Sequence, residues 1–193
     1  MKIFSRRPRV SFWPGLCYSS VMHIFLTGPP GCGKTTVIET MLTRAPRLRV
    51  GGFRTVSVPS EIPQARYEVY IVPAAAPETC RDRRHLVGIR WQDRQRSVFP
   101  QAFETGGREL LTQPGPFDLL LMDEIGTMEN KSPRFGEAIL TALDAETPVC
   151  GVIKPQSSLL LDAIRQHPST LIIEVPNANR ERLPEELFSL LFI

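Results

Sequence analysis

The amino-acid sequence predicts a three-layer α/β fold, in which a mainly parallel sheet is flanked by helices and extended by a small antiparallel appendage. From Met22 onward, short apolar segments of strand length alternate with amphipathic segments of helical length, a pattern typical of a parallel sheet covered on both faces. The length of 193 residues suits one domain, and 42% hydrophobic with 22% charged residues is an ordinary globular composition. We therefore predict a single domain over residues 22–193.

The first strand, loop and helix follow one another without a break. His23–Thr27 is an apolar run of strand length, and the glycine-rich segment Gly28–Thr36 comes directly after it. The next segment has helical periodicity until Pro46 ends it. The apolar side chains on one face of this helix are Val37, Ile38, Met41 and Leu42.

The middle of the chain is predicted to hold the antiparallel appendage. Residues 50–57 and 66–72 alternate between apolar and polar side chains, as half-buried strands do, and a proline-containing turn separates them. An arginine-rich stretch over residues 81–96 follows, to which we assign no strand. Ala102–Gln113 is then a predicted helix, although its two adjacent glycines each cost about 1 kcal/mol relative to alanine.

The second half of the chain returns to the alternation of strand and helix. Ser132 and Pro133 are typical of a helix N-cap and first helical position. The predicted elements are a strand at Phe117–Met122, a helix over 132–146, strands at Pro148–Ile153 and Thr170–Val175, a helix at Leu159–Gln166 and a closing helix from Pro184. The apolar runs are far shorter than the ~18 residues of a membrane-spanning helix, so no membrane association is expected.

Residues 1–21 stand apart from the predicted domain. They combine a basic start with scattered aromatic residues, but Pro14 and Gly15 interrupt the apolar stretch that a signal peptide would need. We interpret this N-terminal extension as a disordered tail, or as residues ahead of a true translation start at Met22, rather than as a targeting segment.

The four cysteines lie far apart in the sequence and form no CxxC pair. Such spacing fits neither a zinc site nor a disulfide framework. We therefore expect reduced thiols and a cytoplasmic protein.

The net charge of +3 is not a property of the predicted domain. Lys2, Arg6, Arg7 and Arg9 all precede Met22, which leaves 19 basic and 20 acidic residues in the domain and a net charge of −1. A domain of this charge lacks the overall basic footprint that follows a nucleic-acid backbone. A nucleic-acid partner is therefore not expected, and the oligomeric state stays open.

Gly28–Thr35 matches the phosphate-binding pattern G-x-x-x-x-G-K-[ST] at every fixed position, between a predicted strand and a predicted helix. Glycines let the backbone approach a bulky anionic phosphate chain, and N–H groups at a helix start bind its oxygens. Lys34 is expected over the β- and γ-phosphates, and the Thr35 hydroxyl is expected to bind Mg²⁺. The predicted nucleotide-binding residues here are Gly28, Pro29, Pro30, Gly31, Cys32, Gly33, Lys34, Thr35 and Thr36.

A second predicted strand ends on two adjacent acids, Asp123 and Glu124. In proteins with a phosphate loop, an aspartate at such a strand end orients the hydration shell of Mg²⁺, so Asp123 joins Thr35 as a predicted metal residue. Consecutive strand residues point in opposite directions, which lets Glu124 reach a water in line with the γ-phosphate and act as its base. Lys34 and Glu124 are the predicted catalytic residues, and Mg²⁺ is the predicted cofactor.

The string Asp123-Glu124-Ile125-Gly126-Thr127-Met128-Glu129 is the most discriminating of several segments that resemble a known family. The other segments are Gly28–Thr36, Gly52–Thr55, Ser132–Leu143, Pro148–Val152 and Asn179–Pro184. Together they resemble the cancer-related nucleoside-triphosphatases of THEP-one type, from Met22 to the C-terminus.

This resemblance implies a RecA-like P-loop NTPase fold. It also implies Mg²⁺-dependent hydrolysis of ATP, GTP and other nucleoside triphosphates to the diphosphate and phosphate. In that family the nucleotide contacts lie in the phosphate loop and around the acidic strand end. They map here onto Gly28–Thr35 and onto Asp123, Glu124, Ile125 and Gly126.

Two other functions stay open on the sequence. A nucleoside or nucleotide kinase needs an acceptor pocket and a lid, and the arginines of residues 81–96 are the available material for a lid. A solvated surface loop or an RNA contact are other interpretations of that stretch. A slow nucleotide-gated switch would depend on a partner for turnover. Arg134 and Arg180 are the single arginines considered for contact with the transition state.

Overall fold

Eight strands form one mixed sheet in the computed structural model, which describes residues 21–76, 81–175 and 180–192. The strands are β1 (His23–Thr27), β2 (Val50–Pro59), β3 (Ala65–Pro73), β4 (Leu86–Trp91), β5 (Arg96–Val98), β6 (Leu119–Ile125), β7 (Val149–Ile153) and β8 (Thr170–Glu174). Their order across the sheet is β5-β4-β3-β2-β6-β7-β1-β8. The interpretation of residues 1–20 as a tail or as untranslated lies outside the described residues.

Helices cover both faces of the sheet. They are α1 (Lys34–Arg44), α2 (Pro100–Ala102), α3 (Arg108–Thr112), α4 (Pro133–Leu143), α5 (Leu159–Gln166) and α6 (Leu183–Phe192). A π-helical turn, Phe103–Gly107, joins α2 to α3 and contains both glycines of the helix predicted there. Within residues 21–76, 81–175 and 180–192, no helix has the length and apolar character to cross a bilayer.

The predicted fold class is confirmed by the strand directions. Strands β2, β6, β7, β1 and β8 are parallel neighbours, so their carboxyl ends lie along one edge. Strands β3, β4 and β5 extend the sheet in antiparallel fashion beyond β2. The sheet is therefore mostly parallel, with an antiparallel part at one side.

The antiparallel part is larger than the predicted appendage and is continuous with the main sheet. Val50–Phe53 of β2 pairs in parallel with β6, and only the part of β2 from Phe53 onward pairs with β3. The absence of a strand from residues 81–96 was a wrong prediction, because β4 and part of β5 lie there. The apolar run Leu86–Ile89 carries a strand signal, which the arginines on both sides obscure.

Ser132 occupies the N-cap position of α4, as predicted, but its side chain does not cap the helix. Its hydroxyl instead donates to the carbonyl oxygen of Pro100 at 3.2 Å, which ties the start of α4 to the start of α2. Helix α4 also ends at Leu143, three residues before the predicted end.

Alternation of side chains along the strands divides the apolar core into two layers. Ile24 and Leu26 of β1 pack with Val37 and Met41 of α1, whereas Phe25 packs with Phe135 of α4 on the opposite face. In β6, Leu119 and Leu121 belong to the α1 layer. The same alternation brings Asp123, two residues further, to the face that carries α1.

Candidate active site

The phosphate loop connects the carboxyl end of β1 to the start of α1. Gly28, Gly31 and Gly33 have φ angles of 137°, 76° and 92°, a backbone conformation that side-chain-bearing residues rarely adopt. Gly33 is the N-cap of α1, so the first N–H groups of the helix lie at the loop without helical partners. The loop therefore has the backbone conformation that an anion-binding helix start requires.

Lys34 lies folded over the loop from which it projects. Its Nζ donates to the carbonyl oxygens of Gly28 at 2.9 Å and Pro29 at 2.8 Å, and it lies 3.5 Å from Cys32 Sγ. Pro29, Pro30, Gly31 and the first helical residues Thr35 and Thr36 are exposed, whereas Cys32 is buried. The ammonium group is thus held at the loop, with exposed backbone around it.

Asp123 lies near the start of α1, where the Thr35 hydroxyl is close enough to lower the pKa of the Asp123 carboxyl. The Asp123 side chain is buried, and this desolvation raises its pKa to about 6, against the lowering effects of the Arg54 charge and of the Thr35 hydroxyl. Its Oδ1 atom is buried and accepts no hydrogen bond. A cation or an ordered water at this atom would supply the missing partner.

These two residues fit a hydrated Mg²⁺ ion. Magnesium prefers oxygen ligands and keeps several waters, so one hydroxyl and one carboxylate suffice on the protein side, with phosphate oxygens completing the set. In the described part of the chain, no group of three or more His, Cys, Asp or Glu side chains is placed to hold a metal. Thr35 and Asp123 would therefore hold the ion together with the nucleotide.

Glu124 departs from regular strand geometry. Its φ is 71°, and the register between β6 and β7 shifts between Met122 and Ile125. Left-handed backbone at a residue other than glycine costs about 1–3 kcal/mol and concentrates at functional sites. The Glu124 side chain is 40% exposed, and its Oε1 lies 3.5 Å from Lys154 Nζ.

Ile125 and Gly126 are near the acids but have other partners in this structure. Ile125 is buried in the core layer of Phe25 and pairs with Ile153. The Gly126 N–H donates to the buried Glu129 carboxylate at 3.0 Å. Burial raises the pKa of Glu129, and this hydrogen bond opposes that effect.

Three residues at the site were given no individual role in the sequence analysis: Arg54, Glu129 and Lys154. Arg54 pairs with Glu39 of α1 at 3.1 Å and is the largest charge effect on the pKa of Asp123. Arg54 and Glu129 do lie in segments that carry the family resemblance. Lys154 lies in none of those segments; it is the first residue after β7, two residues beyond Val152, which packs in the α1 layer.

The two arginines considered for contact with the transition state lie in different parts of the structure. Arg180 lies against the phosphate loop, since a Cβ atom built on Gly33 would stand 2.8 Å from Arg180 Cδ and 3.1 Å from its Nη1. Arg134 lines a surface cleft of about 670 Å³ formed by residues of α2–α4, the π-helical turn and Arg84. Asn179, which belongs with Arg180 in the family resemblance, lies outside the described residues.

The arginine-rich stretch takes part in the antiparallel sheet. Arg90 lies in β4, Arg94 in the turn that follows and Arg96 in β5. Arg81, Arg83 and Arg84 are exposed ahead of β4. Residues 86–91 are hydrogen-bonded to β3, so this part of the stretch is a sheet strand and not a free lid.

A phosphate loop after β1 and a buried aspartate near the carboxyl end of β6, on the face of the sheet that carries α1, define a P-loop nucleotide-binding protein. A family model described as NTPase matches residues 23–188. The chain belongs to this family, which confirms the resemblance found in the sequence and the predicted enzyme class, a hydrolase of nucleoside triphosphates.

Curated relatives carry the corresponding name. The chain is 31% identical over 170 residues to the nucleoside-triphosphatase THEP1 of Thermotoga maritima, covering 88% of this chain and 95% of that protein. It is 30% identical over 173 residues to the THEP1 of Natranaerobius thermophilus, covering 86% of this chain and 93% of that protein.

Two solved structures share the fold. The crystal structure of THEP1 from the hyperthermophile Aquifex aeolicus has a TM-score of 0.67 at 24% identity and covers 89% of this chain and 100% of that one. The solution structure of a human cancer-related nucleoside triphosphatase has a TM-score of 0.63 at 24% identity, with coverages of 88% and 97%.

Proposed function

We propose that the protein hydrolyses nucleoside 5′-triphosphates, including ATP and GTP, to the diphosphate and phosphate in an Mg²⁺-dependent reaction. One observation carries the proposal: buried Asp123, whose Oδ1 atom has no hydrogen-bond partner, lies close enough to Thr35 of α1 for that hydroxyl to lower its pKa, and Glu124 follows it in β6. A metal-binding pair and a carboxylate for water thus lie beside the phosphate loop. Phosphoryl transfer to water requires little beyond such positioning and charge stabilisation.

The loop residues Gly28 to Thr36 bind the phosphate chain. The N–H groups at the start of α1 donate to phosphate oxygens, and Lys34 exchanges its hydrogen bonds to Gly28 and Pro29 for the β- and γ-phosphates. Thr35 and Asp123 would hold Mg²⁺, which would supply charge neutralisation at the phosphate oxygens. The loop, Lys34 and the metal pair therefore hold the triphosphate in place.

Glu124 orients the attacking water and receives its proton. The water oxygen forms a bond to the γ-phosphorus, and the bond from that phosphorus to the β–γ bridging oxygen breaks, with its electron pair leaving on the diphosphate. The exposed position of Glu124 suits a base that must meet a water from solvent. Ile125 and Gly126 support the backbone of this strand end.

Phosphate release from ATP, GTP, CTP and UTP with Mg²⁺ tests the proposal, with wild type and Glu124→Gln compared side by side. We expect release without any added acceptor in the wild type, and loss of release with retained nucleotide binding in the variant. Glu137→Gln, an exposed residue on α4, is the matched control and should keep wild-type activity.

Other outcomes of this experiment would favour one of the alternative functions, a kinase or a slow switch. Nucleotide binding with negligible phosphate release, but with transfer of the γ-phosphoryl group to an added nucleoside, would favour a kinase. Binding with negligible release and no acceptor effect would favour a slow switch that depends on a partner. Full activity of Glu124→Gln would overturn the role of Glu124. A cytoplasmic location and the lack of a nucleic-acid partner stay predictions from the sequence.

A further inference from the structure

Lys154 lies between the two halves of the candidate site. It is the first residue after β7, and β7 lies between β1, which leads into the phosphate loop, and β6, which carries the two acids near its carboxyl end. Leu26 of β1 pairs with Val152, so Gly28 and Lys154 stand two residues beyond the same register position. Cys150 and Val152 of β7 pack in the α1 layer, and Lys154 comes two residues after Val152.

The surroundings of Lys154 are fixed by several contacts. Its backbone N–H donates to Ile125 O at 2.9 Å, and its carbonyl oxygen accepts from Arg165 Nη2 at 2.7 Å. Its side chain runs over Gly126, since a Cβ atom built there would stand 2.8 Å from Lys154 Cδ. The base of the side chain is therefore anchored, and only its end is free to change partner.

The end of the side chain lies beside the Glu124 carboxylate. Lys154 Nζ is 3.5 Å from Glu124 Oε1, and the lysine charge also acts on buried Glu129. Of the two paired side chains, Lys154 is 26% exposed and Glu124 is 40% exposed, so neither is locked in the core. A pair separated by 3.5 Å at a partly exposed position is weak enough to exchange one partner for another.

We propose that Lys154 is a triphosphate sensor that positions Glu124, an inference that rests on the proposed function. Without a γ-phosphate, Lys154 pairs with Glu124 and holds its carboxylate. A bound γ-phosphate carries more negative charge than one carboxylate and attracts the ammonium, which frees Glu124 for the water. A diphosphate lacks the group that draws Lys154 away, so Glu124 stays paired after phosphate has left.

A lysine that senses the γ-phosphate should contribute to the binding of a triphosphate but not to the binding of a diphosphate. Glu124 is unrestrained in Lys154→Met, but the ammonium that contacts the γ-phosphate is lost, so kcat should fall about 10²-fold, the usual cost of removing one group that stabilises transition-state charge. Affinity for a non-hydrolysable ATP analogue with Mg²⁺ should fall about tenfold, while affinity for Mg·ADP stays within about twofold. Lys154→Arg keeps the charge and should recover most of both losses.

The matched control is Lys131→Met, which removes an exposed lysine on the turn before α4 and should leave every value unchanged. Thermal unfolding with Mg·ADP reports whether each variant is folded, and Lys154→Gln replaces Lys154→Met should that protein not fold. Three outcomes would each contradict the role of Lys154 as a sensor. The first is an unchanged kcat in Lys154→Met, and the second is an equal loss of affinity for ADP and for the ATP analogue. The third is a loss of kcat in Lys154→Arg as large as in Lys154→Met.

The two proposals fail in different ways. Absence of phosphate release from the wild type under all conditions contradicts hydrolysis before any variant is compared. The binding measurements need no turnover, so the difference between analogue and ADP affinity still tests Lys154 in that case.

Discussion

The Lys34 ammonium group donates a hydrogen bond of 2.9 Å to the carbonyl oxygen of Gly28, at the opposite end of the phosphate loop. A second bond of 2.8 Å reaches Pro29. The cation is therefore already at the loop before any phosphate arrives, and binding exchanges two neutral acceptors for charged ones. The bonds to Gly28 and Pro29 already have an ionised donor, and phosphate acceptors add the opposite charge.

Lys34→Ala should weaken nucleotide binding. Loss of a charge-assisted contact to the β- and γ-phosphates predicts at least a tenfold lower affinity for Mg·ATP, about 1.4 kcal/mol. Titration calorimetry in the Glu124→Gln background measures the affinity without turnover. Lys131→Ala is the control on an exposed lysine, and equal affinities of the two variants would contradict the role of Lys34.

Arg180→Ala tests the arginine that lies over Gly33. Because its Nη1 is close to the loop, we expect it to contribute to charge stabilisation at the phosphates and kcat/KM to fall about tenfold when it is removed. Arg182→Ala removes an exposed arginine two residues further and should leave kcat/KM unchanged. A similar loss in both variants would point to the closing helix rather than to a contact of Arg180.

The nucleotide site was predictable from the sequence wherever residues with a recognisable chemical role also lie at the boundary of a predicted strand or helix. The spacing of Gly28, Gly33 and Lys34 defines a loop between a strand and a helix, and the run before Asp123 defines a buried strand end. That Asp123 faces Thr35 follows from strand alternation, once β6 is known to lie in the same parallel sheet as β1.

The rest depends on tertiary contacts that no local pattern records. The left-handed backbone of Glu124 arises at a register shift between β6 and β7, and nothing in the residue type announces it. Lys154 is a single lysine without a motif, so its pairing with Glu124 required the order of the strands. Strand β4 was missed because its apolar centre is short and flanked by arginines.

Asp123→Asn should stabilise the metal-free protein at high pH while it abolishes Mg²⁺-dependent release. Burial raises the pKa of Asp123 from 3.8 to about 6, so the folded protein holds this proton more tightly than the unfolded chain. Its contribution to the free energy of unfolding is complete below about pH 4 and is lost as pH rises through 6. Asparagine removes that loss, about 1–3 kcal/mol at pH 8.

Urea unfolding in EDTA at pH 4.5 and pH 8 measures this effect. The gain in stability of Asp123→Asn should be clear at pH 8 and about a third as large at pH 4.5. Asp93→Asn, in the exposed turn between β4 and β5, is the control and should show no such dependence on pH. A variant less stable than the wild type at pH 8 would mean that the Asp123 charge is compensated in the folded protein.

Gly52→Ala should be severely destabilising, because Gly52 is the point of closest approach between β2 and β6. Its φ is 86°, and a Cβ atom would stand 2.1 Å from the carbonyl oxygen of Leu121, its register partner. Neither backbone can yield without breaking the pairing that leads to Asp123, so we expect a loss of more than about 3 kcal/mol. The lost pairing should also lower phosphate release.

Gly136→Ala makes the same change where space and backbone allow it. Gly136 lies in α4, and the nearest heavy atom to a Cβ there is Leu160 Cδ1 at 3.7 Å, an ordinary contact. Helical glycine replaced by alanine should add about 0.5–1 kcal/mol to the free energy of unfolding. Urea unfolding should show a lower free energy of unfolding for Gly52→Ala and a higher one for Gly136→Ala. A Gly52→Ala protein as stable as the wild type would contradict the close contact of β2 and β6, because the space between these strands is too small for an alanine side chain.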